Sequence, residues 1–232
     1  DLTGIEAAEH GYRVDEAGFQ AHMAAQRARS RESAKFFEND DAAWTHLQPN
    51  GGQIFAGYGL ESHDTNVIRF KQTENEIDIV LAETPFYAEG GGELADHGEI
   101  TGPGFTIDVQ DVQRLNGVIH HRGTIRSGEI SLTADSLVSA KVDLTRRKEK
   151  TLHHTATHLL HSGLKNVLGD QVQQKGSVVS TDRLRFDFSH GKPVSRSELT
   201  LVEQWVNHEI RQNHSVNIQE GVSLESAKAQ GV

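Results

Sequence analysis

His154-Thr155-Ala156-Thr157-His158-Leu159-Leu160-His161 reads as one side of an amphipathic helix. At about 100° per residue, His158 lies about 40° and His161 about 20° from His154, on opposite sides, so three imidazoles share one stripe. Leu152, Leu159, Leu160, Leu164 and Val167 fall mostly on the other half of the cylinder. The helix is expected from about Arg147 to Leu168, with Gly169 as its C′ residue. One face packs and the other offers imidazole nitrogen, a geometry suited to a divalent metal such as zinc. Spacing alone leaves an ordinary polar helix face open, because 14 histidines in 232 residues are enough to supply one i, i+4 pair by chance. A catalytic zincin is disfavoured, since Thr155 stands where a Glu general base would follow the first His.

Downstream of this helix the pattern alternates. Val172–Ser180 and Arg183–Ser189 read as strands, the second with Leu184, Phe186 and Phe188 on one side and Arg183, Arg185 and Asp187 on the other. Ser197, ahead of Glu198 and Leu199, is a candidate N-cap for a helix reaching about Asn213. Its apolar face would be Leu199, Val202, Val206 and Ile210, and Ser215–Gln219 reads as a third strand.

Upstream, residues 53–143 break into short runs punctuated by Gly, Asn, Asp and Pro. Asn66–Lys71, Glu76–Ala82, His97–Thr101, Phe105–Val112, Val118–Ile125 and Ser136–Asp143 predict a small antiparallel barrel. Alternation in the fifth run turns one of His120 and His121 outward. Residues before this read as helical, with Asp15 as N-cap, Phe19 and Met23 as an i, i+4 pair, and good helix formers to Phe37. The fold class expected is α+β: a helical segment over 1–48, a small antiparallel β-barrel over 49–144, and helices on an antiparallel sheet over 145–232.

The chain has no cysteine and a net charge of −10. It therefore has no disulfide framework and no thiolate to offer a metal. Its charge argues against broad nonspecific nucleic-acid binding, though not against a local patch. Two segments are basic: Gln26–Lys35 and Lys141–Lys150, the latter with Lys141, Arg146, Arg147, Lys148 and Lys150. Each reads as a solvated face or as an RNA contact. No apolar run spans a membrane and no signal peptide opens the chain. The missing initiator Met suggests a fragment or a processed chain.

Glu83-Thr84-Pro85-Phe86-Tyr87-Ala88-Glu89-Gly90-Gly91-Gly92-Glu93 is the second unusual stretch. Three consecutive glycines permit positive φ and close approach by a ligand or another backbone. It lacks the Gly-Lys-Ser/Thr of a P-loop, and reads either as a turn between barrel strands or as a binding loop. Gln173-Gln174-Lys175-Gly176-Ser177 follows the histidine helix directly and would line a pocket floor opposite the imidazoles, or form an ordinary polar strand. His190 and His214 read as surface residues.

Taken together, His154–His161, Val167-Leu168-Gly169, Gln174–Val179 and Asp182–His190 closely resemble the editing domain of alanyl-tRNA synthetases. Thr84–Gly92 resembles the loop of the barrel that precedes that domain. Asp1-Leu2-Thr3 and Val14–Phe19 look like the helical segment linking the aminoacylation half to the editing half. The resemblance implies hydrolysis of tRNA(Ala) mischarged with serine or glycine. It implies His154 and His158 as zinc ligands, Gln174 as a catalytic pocket residue, and Thr84, Gly90, Gly91 and Gly92 as substrate-binding residues.

In that family a Cys-x-x-x-His pair further along completes the metal site, and this chain stops at Gln230-Gly231-Val232. A truncated synthetase with an incomplete zinc site and impaired editing is therefore expected. ATP and magnesium would belong to a missing N-terminal half. Two departures stand in the glycine loop: Glu93 where the family usually has Gln, and Ala95 where it often has Gly. The expected partner is tRNA(Ala), with no DNA or membrane partner, in the cytoplasm. A free-standing alanyl-tRNA editing protein and a non-catalytic RNA-binding module remain the alternatives.

Overall fold

The computed structural model describes residues 10–24, 43–48, 51–215, 221–223 and 225–226. Near the N-terminus residues 16–24 form α1. Asp15 caps it, its carboxylate accepting from Gly18 N at 2.8 Å. The basic segment Gln26–Lys35 and the helix expected on to Phe37 lie outside the described residues.

The described residues 43–48 and 51–55 contain no α-helix, which corrects the helical reading of the end of the first segment. They carry β1 (Thr45–His46) and β2 (Ile54–Phe55). Then come β3 (Ser62–Gln72), β4 (Glu76–Leu81), β5 (Glu83–Thr84), β6 (Gly98–Gly102), β7 (Phe105–Leu115), β8 (Val118–Gly128) and β9 (Leu137–Val142).

Six of these close a barrel in the order β3-β4-β8-β7-β6-β9 and back to β3, all antiparallel. Closure depends on β3 serving two neighbours. Its Ser62–Asn66 half pairs with β9 and its Val67–Gln72 half with β4. A closed sheet leaves no barrel edge unpaired. Asn116 and Gly117, both at positive φ (50° and 83°), make the tight β7–β8 hairpin. Inward residues such as Ile79, Leu81, Ile100, Ile107, Val112 and Ile119 form the core at 0–1% exposure.

His120 and His121 alternate as expected, yet both are buried, at 5% and 0%. His121 points inward, donating or accepting at 2.6 Å with the Thr84 hydroxyl and at 3.0 Å with the Ile79 carbonyl. His120 points outward but is roofed by the strap that carries β1 and β2. Trp44 packs edge-on against it at 5.4 Å, and Asp78 binds its Nδ1 at 3.0 Å. Gln53 clamps the strap to the barrel through Leu81 O and both backbone groups of Ile119.

Beyond the barrel lie α2 (Leu144–Leu168), an antiparallel hairpin of β10 (Gln174–Val179) and β11 (Leu184–Phe188), and α3 (Arg196–Gln212). Asp143, not a residue near Arg147, caps α2 by accepting from Arg146 N at 3.1 Å, and Gly169 ends it at φ 108°. Ser195, not Ser197, caps α3. Its hydroxyl accepts from Glu198 N while the Glu198 carboxylate accepts from Ser195 N, a capping box.

The core of this layer is Leu164, Val172 and Val202, with Leu160, Val167, Phe186, Phe188 and Val206 against it. Leu152, Leu199 and Ile210, expected on packing faces, are 64%, 52% and 54% exposed, because no described residue lies over that side of either helix. Ser215 is described without strand structure, and the rest of Ser215–Gln219 lies outside the described residues. No described helix is long and apolar enough to cross a membrane.

Candidate functional site

The site stands on a joint between barrel and layer. Arg147 and Lys150, one turn apart on α2, both reach Asp96, which is 1% exposed. Lys150 Nζ donates to Asp96 Oδ1 at 2.8 Å and to the carbonyls of Leu94 and Ala95. Arg147 donates to Asp96 Oδ2, to Pro85 O and to Gly57 O. Burial alone would raise the Asp96 pKa, but the hydrogen bonds from Arg147 and Lys150 hold it below the usual carboxylate range. The reading of Lys141–Lys150 as one solvated or RNA-facing run is thereby corrected. Two of its five cations are committed to a buried carboxylate, and Lys141, Arg146 and Lys148 remain exposed.

The glycine run is neither a free turn nor an open loop. Gly90 and Glu93 exchange both backbone hydrogen bonds, at 3.1 and 3.0 Å, around Gly91 and Gly92 at φ 62° and 89°. Two successive positive φ values are what such a tight turn requires. The turn lies against β10: Val179 N donates to Gly92 O at 2.7 Å and Leu94 N to Val179 O at 3.0 Å. A Cβ on Gly92 would come within 2.3 Å of Ser177 Oγ and 2.7 Å of its carbonyl. The close approach is thus to another backbone, and it fastens the barrel loop to the hairpin.

This seam aims Glu93 at α2. Its carboxylate meets His154 Nδ1 at 2.5 Å. The His154 and His158 rings stack with centroids 5.0 Å apart and planes 19° from parallel. His158 is held below the ordinary histidine range, first by partial desolvation and then by the adjacent His154 and His161, so neutral imidazole is favoured. His161 turns away from the pair and packs on Phe186 at 5.2 Å, with Nε2 buried and without a hydrogen bond. His153 reaches the opposite way, to Ser180 O at 2.8 Å. His190, read as a surface residue, is half-buried with both ring nitrogens shielded and unbonded.

A cavity of about 620 Å³ opens between barrel and layer. Glu93, His154 and His158 line one side, Phe55, Tyr58 and Tyr87 the other, with Arg147 between. Phe55 meets Tyr58 edge-on at 5.1 Å and Tyr87 at 6.2 Å. The same three aromatic residues border an adjoining hollow of about 370 Å³ that Ala88, Glu89, Gly90, Gly91 and Arg114 complete. The Tyr87 hydroxyl donates to Gly90 O at 3.3 Å, and its pKa is raised, mainly by burial and then by Glu93.

The residues singled out from the sequence are thus dispersed over three places. His154 and His158 face the larger cavity. Gly90 and Gly91 border the smaller hollow, while Gly92 abuts Ser177. Gln174 is exposed, donates to Ser177 Oγ at 3.1 Å and lines neither cavity. Thr84 is fully buried in the barrel against His121, outside both cavity linings. Glu93, Tyr87, Tyr58 and Phe55 join the site although no spacing rule links them to α2. The only signal in the chain was the glycine run itself. Among the described residues no group of three or more His, Cys, Asp or Glu side chains is placed to hold a metal ion.

Residues 1–146 match the family model of class II (A) tRNA synthetases. Among curated proteins, the chain is 39% identical over 231 residues to an alanine–tRNA ligase of Xanthomonas oryzae pv. oryzae (strain PXO99A), covering 94% of this chain and 26% of that protein. It is 39% identical to the alanine–tRNA ligase of Chlorobaculum tepidum and 40% identical to that of Shewanella amazonensis. Each of these matches covers 100% of this chain, and 28% and 27% of the relative. The chain spans about a quarter of the length of the curated relatives it matches.

Proposed function

The chain belongs to the class II (A) family of tRNA synthetases, and from that premise we propose that it is the editing portion of an alanine–tRNA ligase. The whole protein would join alanine to tRNA(Ala) with ATP and magnesium bound elsewhere, in the cytoplasm. This portion would hydrolyse Ser-tRNA(Ala) and Gly-tRNA(Ala). The need is physical. A pocket built for alanine rejects glycine by only about 1–3 kcal/mol per missing methyl, and an added hydroxyl is also hard to exclude. A second site must therefore remove the wrong ester.

The observation that carries the reading is the stacked His154–His158 pair facing an aromatic wall across one cavity. Phe55, Tyr58 and Tyr87 offer stacking surface for the terminal adenine, a contact that tolerates any base. Arg114, beside Gly90 and Gly91, offers charge to the preceding phosphate. The aminoacyl end is then directed towards His154 and His158. The cavity walls limit the water that reaches the ester, whose carbonyl is already activated. Arg147 is committed within the joint, donating to Asp96 and to the Gly57 and Pro85 carbonyls, so its guanidinium is held away from the phosphate contact assigned to Arg114.

The donor set fits zinc in part: two imidazoles, one kept neutral by its surroundings and one whose Nδ1 is engaged so that Nε2 is left over. His154 and His158 would hold the ion with ligands from outside this chain, and it would act as a Lewis acid or orient the ester's amino group. Gln174, Thr84 and Gly92 would act from behind the lining, through the glycine turn and the barrel wall.

Single-turnover hydrolysis of Ser-tRNA(Ala) tests the reading. The full synthetase should deacylate it far faster than Ala-tRNA(Ala), and the 232-residue chain alone should do so poorly. His154→Ala or His158→Ala in the full synthetase should slow deacylation about a hundredfold and leave alanine charging intact. Unchanged deacylation in both variants would overturn it.

A further inference from the structure

We propose that Glu93 is the positioning residue of His154: it fixes the ring as the Nδ1–H tautomer and leaves Nε2 as the free nitrogen at the cavity. The inference rests on the functional reading above only for what Nε2 then binds.

A carboxylate oxygen can only accept, so at 2.5 Å the Nδ1 of His154 must be the donor. A neutral imidazole carries one proton, and placing it on Nδ1 empties Nε2. Such a carboxylate behind an imidazole sets the ring's orientation and raises the basicity of its other nitrogen.

The carboxylate is held for this purpose from several directions. The Glu93 backbone exchanges two hydrogen bonds with Gly90, and its neighbours on both sides bond to Val179 of β10. Its side chain is only 12% exposed, against 42% for His154. The acid is the more buried partner and its backbone is bonded on both sides, so the imidazole is the group being placed. No third metal-ligating group converges among the described residues, so Glu93 acts behind His154 rather than beside it.

The turn explains the glycines as well. Gly91 and Gly92 supply the positive φ values that bring Glu93 round to face α2, and Gly92 lets the turn sit on Ser177. Three features of one loop thus serve one carboxylate 61 residues from its partner.

The test uses the 232-residue chain, metal-free, with ¹⁵N-labelled histidine, at about pH 8 where an ordinary imidazole is neutral. Long-range ¹H–¹⁵N correlation should show His154 protonated on Nδ1. Glu93→Ala should transfer the proton to Nε2, the preferred site of a free ring. Glu93→Gln, whose side-chain carbonyl still accepts, should retain the wild-type tautomer and also controls for folding. Zinc titration of the same proteins should show Glu93→Ala about 10–100-fold weaker than wild type, and Glu93→Gln within a few-fold of wild type.

His154 protonated on Nε2 in the wild type, or a tautomer indifferent to Glu93→Ala, would overturn the proposal. A Glu93-dependent tautomer in a chain that binds no zinc upholds the positioning role and removes zinc from the functional reading, so the two failures are told apart.

Discussion

The barrel and the helix–hairpin layer are built on opposite economies. The barrel core holds sixteen buried apolar residues, Val67 to Val142, inside a sheet with no open edge. Among the described residues the layer's own core cluster holds three, Leu164, Val172 and Val202, while Leu152, Leu199, Leu201 and Ile210 are more than half exposed. A closed barrel supports itself, whereas the layer borrows stability from it through two polar fastenings. These are the Asp96 joint and the glycine seam on β10. The cavity lies between the two fastenings, so the weaker region is held in register where the candidate chemistry sits.

Breaking the joint should have the largest effect. Asp96→Ala leaves Arg147 and Lys150 without their carboxylate, and breaking a buried pair in this way costs about 3–5 kcal/mol. Urea unfolding should show that loss, and a change below about 1 kcal/mol would mean the joint is ornamental.

Acid should act next, and within the barrel. His121 is wholly buried, and desolvation pushes its pKa down from 6.5 to about 4. The unfolded chain therefore takes up this proton first. The associated stability is complete above about pH 6.5 and lost as pH falls towards about 4, amounting to about 3 kcal/mol. NMR titration should find the His121 ring neutral at pH 5 in the folded chain. Protonation at the ordinary histidine value would contradict its burial.

The glycine seam gives a paired comparison. Gly92→Ala places a Cβ 2.3 Å from Ser177 Oγ at positive φ and should cost about 2 kcal/mol. Gly91→Ala also has positive φ but meets nothing within 4 Å, and should cost about 1 kcal/mol. Hydrogen exchange should localise the Gly92 effect to β10 and α2, with barrel strands unchanged. Equal costs for the two would mean that the close contact with Ser177 is not what fastens the layer.

Ser195→Ala should be the smallest, about 1 kcal/mol from the lost cap. Its effect should be confined to α3, and spread of faster exchange into β7 or β8 would break the distinction between the two regions.

The same contrast explains what could be read from the chain. All six barrel runs appear as strands because alternation and turn residues are local signals, as with Asn116-Gly117 between β7 and β8. The roof over His120 was not legible, since Trp44 and Gln53 reach it from about seventy residues away. α2 starts earlier than helical periodicity predicts because Asp143, directly after β9, caps it. Ser195 and Ser197 are both plausible caps in sequence, and only the reciprocal bond to Glu198 separates them.

At the site, the imidazole stripe followed from helical periodicity. Glu93 did not, and neither did Asp96 as the partner of Arg147 and Lys150. Those contacts join segments more than fifty residues apart, and no periodicity encodes them.

The central claim is that the cavity between barrel and layer receives the aminoacylated 3′ end. The most direct measurement is hydrogen exchange of the chain with and without 3′-seryl-amino-3′-deoxyadenosine, an amide that the proposed hydrolysis cannot readily cleave. Amide exchange should slow together at 55–58, at 87–93 and at 154–158, the two walls and the loop that joins them. Protection confined to the separate hollow around Arg126, Lys141 and Arg146, or no protection at saturating ligand, would contradict it.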